Sequence, residues 1–209
     1  MEQTKITRAY NFEIRAENNE KNGDFITGRP IVYNSKTDLG WFNEIIEAGA
    51  LDKANLKDVR FLVNHNTDMI PLARSRNNNE NSTMQLEVDK DGMAIRVNLD
   101  TENNTEARNL YSAIKRGDIT GMSFMFTIDD EEWADLDSEH PTRHIRKIAQ
   151  VFEVSAVTFP AYESTEISAR DKEALESAKA TLDSVRRQAL ESVEAELALE
   201  KAKLRNKFF

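Results

Sequence analysis

The apolar period of the chain switches at one place. Glu106, Ala107, Leu110, Ile114 and Lys115 recur at three- and four-residue spacing, which predicts a helix capped at Asn104 or Thr105 and running to Arg116. Gly117 follows the Lys115-Arg116 pair, the usual chemistry of a helix stop. Beyond Gly121 the spacing becomes two residues: Met122, Phe124 and Phe126 alternate with Ser123, Met125 and Thr127. The order helix, stop, strand is thereby set, and a small hydroxyl falls near the start of the strand between large apolar side chains. Ser123 is either an ordinary strand residue or a nucleophile held on a rigid element, and the second role needs a base elsewhere in the chain.

Two-residue alternation recurs along most of the first 165 residues. A strand with mixed alternation is expected over residues 4–16, and a second over 25–33, with turn chemistry from Asn18 to Gly23 making them a hairpin. Residues 41–51 have strand and turn character, and 49–56 one helical turn. Arg60-Phe61-Leu62-Val63-Asn64-His65-Asn66 reads as a strand that delivers a histidine to its C-terminal end, and Pro71-Leu72-Ala73-Arg74 leads into another. Met84 to Val88 and Met93 to Leu99 alternate around Asp91-Gly92, a strong hairpin signal. Asp129-Asp130-Glu131-Glu132 reads as a solvated loop, followed by a mobile excursion to Thr142 and a strand over 144–157. Glu153 sits within that strand among Val151, Phe152, Val154 and Val157; a carboxylate there is costly unless it is paired or lies at an edge.

From Asp171 the texture changes. No Gly or Pro follows, and Leu175, Ala178, Leu182, Val185, Ala189, Val193, Leu197 and Leu204 form a thin apolar stripe. One long helix with a weak coiled-coil seam is expected, ordered by a partner or by the chain's own body. Its eight acidic and eight basic residues balance, so the whole net charge of −9 lies in the first 170 residues. That charge argues against general nucleic-acid binding. There is no apolar run near the length of a membrane span. Cysteine is absent, which removes disulfides, thiolate metal sites and cysteine nucleophiles and suits an intracellular protein. Histidine chemistry has three candidates, His65, His140 and His144.

His65, Ser123 and Glu153 are each a polar exception in an apolar neighbourhood, on or at the end of an expected strand. Together they are the residue types for acyl transfer: a hydroxyl, an imidazole to take its proton, and a carboxylate to fix the tautomer and stabilise the imidazolium. His65 alone can equally be a hydrogen-bonded structural residue.

Val63-Asn64-His65-Asn66 with Pro71-Leu72-Ala73-Arg74, the run from Arg116 to Phe126, and the run from Phe152 to Ala161 resemble, in that order, the prohead maturation proteases of tailed bacteriophages. That family is similar in fold to the herpesvirus capsid assembly proteases, and the resemblance covers roughly residues 5–165. It implies Ser123 as nucleophile, His65 as base and Glu153 as third member. Arg143 and Arg146 are oxyanion candidates by position, a surface role being the alternative for each. The family usually has Asn-His-Asp where Asn66 stands here, and often Leu-Gly-Arg where Ala73 stands, which questions the local turn because Ala tolerates positive φ poorly.

The expected fold is mainly β with peripheral α: an antiparallel barrel-like sheet ringed by a few helices, plus a long C-terminal helix. The expected units are a catalytic domain over residues 1–165 and a helical tail over 166–209. The resemblance implies a serine endopeptidase that cleaves scaffold, or the scaffold-like arm of the major capsid protein, and itself. It would act in the host cytoplasm inside the assembling prohead, without cofactor or metal. Its partners would be the capsid or scaffold protein and a second copy through the C-terminal helix, with no nucleic acid and no membrane. The alternatives are a non-enzymatic scaffold or assembly protein, and a metal-dependent hydrolase using residues 129–132 with His140 and His144.

Overall fold

The computed structural model describes residues 4–10, 14–19, 23–159 and 165–207. Its longest neighbours are β10 (Gly121–Ala134) and β11 (Thr142–Val157), paired antiparallel from Gly121↔Val157 to Ala134↔Thr142. β1 (Ile6–Tyr10) adds to the free edge of β10. The far edge of β11 is shared. β5 (Asn43–Ile46) lies parallel to its first half and carries β4 (Lys36–Asp38). β6 (Asp58–Val63) lies parallel to its second half and carries β7 (Ala73–Arg76). A second sheet runs in the order β2 (Ile14–Asn19), β3 (Gly23–Val32), β9 (Gly92–Asn98), β8 (Met84–Asp89), all antiparallel. The main core lies between the sheets, with Met122, Phe124, Phe126, Val154 and Phe61 from the first and Ile26, Ile31, Met84, Met93 and Val97 from the second.

The mainly β expectation holds, with two differences. The sheets are not closed into a barrel, and β11 takes two parallel neighbours, so the arrangement is mixed. The described helices are two, α1 (Thr105–Arg116) and α2 (Thr165–Lys207). α1 has the expected ends: the Asn104 side chain accepts from the N–H groups of Glu106 and Ala107, and Gly117 takes φ 81°.

Several local expectations are corrected. The stretch 4–16 is not one strand: β1 and β2 belong to different sheets, with residues 11–13 outside the described part. Residues 20–22 of the expected Asn18–Gly23 turn also lie outside it, although the β2–β3 hairpin forms. Residues 48–53 make hydrogen-bonded turns and no helix. The acidic run is strand, not loop, because β11 supplies cations across the ladder. Arg146 donates to Glu132 and Asp130 at 2.7 and 3.0 Å, and Lys147 to Asp130 at 3.0 Å. Ala73 opens β7 opposite Phe61 and is not among the positive-φ residues, so the turn questioned there does not arise.

The β10–β11 hairpin does not run straight. Its register shifts four times between Met125 and Glu131. Such bulges bend a strand pair, and here the bend is needed. Arg8 stands opposite Phe124 and Glu44 opposite Arg143, at opposite ends of the hairpin. A straight ladder would separate them by roughly 30 Å or more. Yet the Arg8 guanidinium donates to both oxygens of Glu44 at 2.6 and 2.8 Å, and to Asp171 of α2 at 2.8 Å. Arg143 adds bonds to Glu44 and Glu131 and lies over the Trp133 ring. Arg8, Glu44, Asp171 and Arg143 are all buried. Burial pushes the Asp171 carboxyl up, against the pull of Arg8.

α2 is fastened to the body along its first turns. Leu175 packs with Leu39 and Phe42, and Trp133 and Leu136 lie against them. Arg186 donates to Asp137 at 2.8 and 2.5 Å. Beyond that point Leu190, Val193 and Leu197 are exposed.

Replacing Arg8 with Met would leave Glu44 and Asp171 buried without their main cation. The expected cost is about 3–5 kcal/mol of unfolding free energy, read by denaturant titration. A loss below about 1 kcal/mol would contradict the role given to this cluster.

Candidate active site

Register decides what can meet here. Ser123 on β10 is directly opposite Ser155 on β11, and Met125 opposite Glu153. Directly opposed residues point to the same face, and so do residues two apart on one strand. Ser123, Ser155 and Glu153 therefore share one face of the sheet. Phe124 and Val154, also opposed, take the other face and fill the core.

His65 reaches this face from β6. The parallel ladder ends at Ala156↔Val63. Asn64 and His65 then both adopt left-handed backbone, φ 50° and 56°, conformations that Asn and His tolerate better than most residues. The reversal is pinned to β11 and the residue after it. The Asn64 N–H donates to the Ala156 carbonyl at 3.0 Å. The Asn64 side chain accepts from the Thr158 N–H at 2.9 Å and donates to the Thr158 hydroxyl at 3.0 Å. The result turns the imidazole back across β11. Nδ1 of His65 lies 2.6 Å from Oε1 of Glu153. Glu153 is almost fully buried, and the His65 side chain is 23% exposed. With the carboxylate ionised, Nδ1 carries the proton and donates, which leaves the lone pair of neutral imidazole on Nε2.

The structure thus brings His65 and Glu153 together, and sets Ser123 on the adjoining strand and the same face. It does not join Ser123 to His65. The Ser123 hydroxyl is fully buried and donates to the Arg8 carbonyl on β1 at 2.7 Å, away from β11. The other expected residues lie elsewhere. Arg143 is buried with Glu44 and Glu131, so a surface role does not describe it, whereas Arg146 is a surface residue paired with Asp130 and Glu132. His140 pairs with Asp38 at 3.1 Å and His144 with Glu47 at 3.0 Å. Among the described residues no group of three or more His, Cys, Asp or Glu side chains could hold a metal ion.

One residue the sequence reading passed over is Ser155. Its hydroxyl donates to Oε2 of Glu153 at 2.5 Å and accepts from the His65 N–H at 3.1 Å. Its only signal in the sequence was position: two residues after the carboxylate, hence on the same face of a strand.

A histidine–carboxylate pair beside a strand serine is the equipment that serine hydrolases use. The comparison with protein families is more specific. Residues 10–180 match the model described as caudovirus prohead serine protease, and the chain belongs to that family. A search of solved structures finds the bacteriophage T4 capsid assembly protease gp21. It is 12% identical, with 75% of this chain and 99% of that chain covered and a TM-score of 0.43. No curated protein matches this chain.

Replacing Asn64 with Ala removes its side-chain bonds to Thr158 and disfavours the left-handed backbone. We expect a loss of about 1–2 kcal/mol in unfolding free energy by urea titration. An unchanged midpoint would contradict the clamp.

Proposed function

We propose that this prohead serine protease uses Ser123 as nucleophile, His65 as general base and Glu153 as the orienting carboxylate. The observation that carries the reading is the 2.6 Å contact between Nδ1 of His65 and Glu153, which leaves Nε2 as the proton acceptor. A serine hydroxyl is almost fully protonated at neutral pH, so attack requires that acceptor.

The first step on this reading is a side-chain rotation. Ser123 leaves the Arg8 carbonyl and turns toward β11, a change between staggered rotamers that exchanges one hydrogen bond for another. The hydroxyl proton passes to Nε2 as the oxygen attacks the scissile carbonyl. Glu153 stabilises the imidazolium that forms, and the imidazolium then protonates the leaving amine. Water, deprotonated by the same imidazole, releases the acyl group and restores Ser123. Ser123 is buried as described, so substrate access needs a movement beyond that rotation, which suits a protease that stays idle until it is enclosed with its targets.

The proposed substrates are scaffold sequence or the scaffold-like arm of the major capsid protein, and the chain itself, cleaved inside the assembling prohead in the host cell. We divide the chain into a catalytic unit over residues 1–165 and a tail over 166–209. Supporting the division, the first turns of α2 dock on the body while Leu190, Val193 and Leu197 face outward. That outward stripe suits a helix of the scaffold or capsid protein, or a second copy. No helix among the described residues is long and apolar enough to cross a membrane.

Ser123→Ala should abolish processing of co-expressed capsid protein and self-trimming, read by intact mass over time, while shells still assemble. Failure of assembly itself would favour a scaffold role. Glu153→Gln should slow processing by roughly 10⁴-fold. Removing residues 187–209 should leave thermal unfolding of the body nearly unchanged but prevent packaging into proheads. Normal packaging of the shortened chain would overturn the proposed docking role.

A further inference from the structure

The geometry points to Ser155 as a positioning residue of this site: one buried hydroxyl ties the Glu153 carboxylate and the His65 backbone together, so that both are presented to Ser123 as a single piece. The inference rests on the proposed triad and deepens it.

The direction of the Ser155 hydroxyl proton follows from its partners. A backbone N–H can only donate, so the His65 N–H, 3.1 Å away, must use an oxygen lone pair of Ser155. The one hydroxyl proton is then free for Glu153, whose Oε2 accepts it at 2.5 Å. Neither partner can exchange roles, and Ser155 is fully buried, so no water competes for either bond from the surface. The carboxylate is held at both oxygens, Oε1 by the imidazole and Oε2 by Ser155.

Two consequences separate Ser155 from an ordinary strand serine. First, the parallel ladder between β6 and β11 ends before His65, at Val63, with one further backbone bond from Asn64 to Ala156. Ser155 extends the fastening by one residue, to the residue whose side chain must be aimed. Second, a carboxylate buried on this face needs a hydrogen-bond partner at each oxygen. Ser155 supplies the bond that His65 does not. The same commitments disqualify Ser155 as a nucleophile. Its proton goes to the carboxylate, and its contact with His65 is to the backbone rather than the ring. Ser123, directly opposite on β10, donates to a backbone carbonyl that it can leave.

The test uses the full chain and two variants, Ser155→Ala and Ser155→Cys. The thiol nearly keeps the volume but is a weak donor, so it carries the test if the Ala variant does not fold. The spectroscopic readout is the far-downfield proton resonance of the His65 Nδ1–H, identified by its loss in His65→Gln. The kinetic readout is the rate of processing of co-expressed capsid protein. We expect both variants to fold, to shift or broaden the His65 resonance, and to process at least about tenfold more slowly. A folded variant that keeps the wild-type resonance, or the wild-type rate, overturns the inference. If Ser123→Ala processes as fast as wild type, it is the triad that fails, and the resonance still decides whether Ser155 holds the histidine–carboxylate pair.

Discussion

The register between β10 and β11 is the constraint on which the rest depends. With Ser123 opposite Ser155, one face of the pair carries the hydroxyls and the carboxylate, and the other carries Phe124 and Val154 into the core. A slip of one residue would exchange the faces, placing Ser123 in the core and Phe124 at the site. The core prevents that slip. Met122, Phe124 and Phe126 are fully buried in the layer between the sheets, and a slip would put Ser123, Met125 and Thr127 there in their place. The alternation that builds the hydrophobic layer is therefore also what assembles the polar face.

Arg8 links this face to the tail. Its carbonyl receives the Ser123 hydroxyl, and its guanidinium is held by Glu44 on β5 and by Asp171 on α2. One residue thus connects the serine, the bend of the hairpin and the docking of the helix. His65 and Glu153 are already aligned, while the serine is turned to β1.

Much of this was legible in the sequence where the information is local. The period switch at Gly117–Gly121, the cap at Asn104 and the hairpin signalled by Asp91-Gly92 all follow from neighbouring residues, and the structure has them, with the turn itself one residue earlier at Lys90-Asp91. Glu153 was recognisable because a carboxylate in an apolar strand demands a partner, and His65 is that partner. What was not legible depends on distant pairing. The acidic run at 129–132 reads as solvated loop until Arg146 and Lys147 face it across the ladder. The parallel placement of β5 and β6 on β11 leaves no local mark. Arg8, Glu44 and Asp171 look like surface residues one at a time, and only the bend of the hairpin makes them a buried cluster. Ser155 escaped because its role is defined by two bonds, one of them to the backbone of a residue on another strand.

The central claim is that His65 makes Ser123 a nucleophile. Fluorophosphonate labelling of assembling proheads, with the adduct mapped by tandem mass spectrometry, tests it most directly. The account predicts one adduct on this chain, at Ser123, that disappears in His65→Gln although the variant still enters the prohead. An adduct on another residue, or one at Ser123 that forms equally fast without the imidazole, would contradict it.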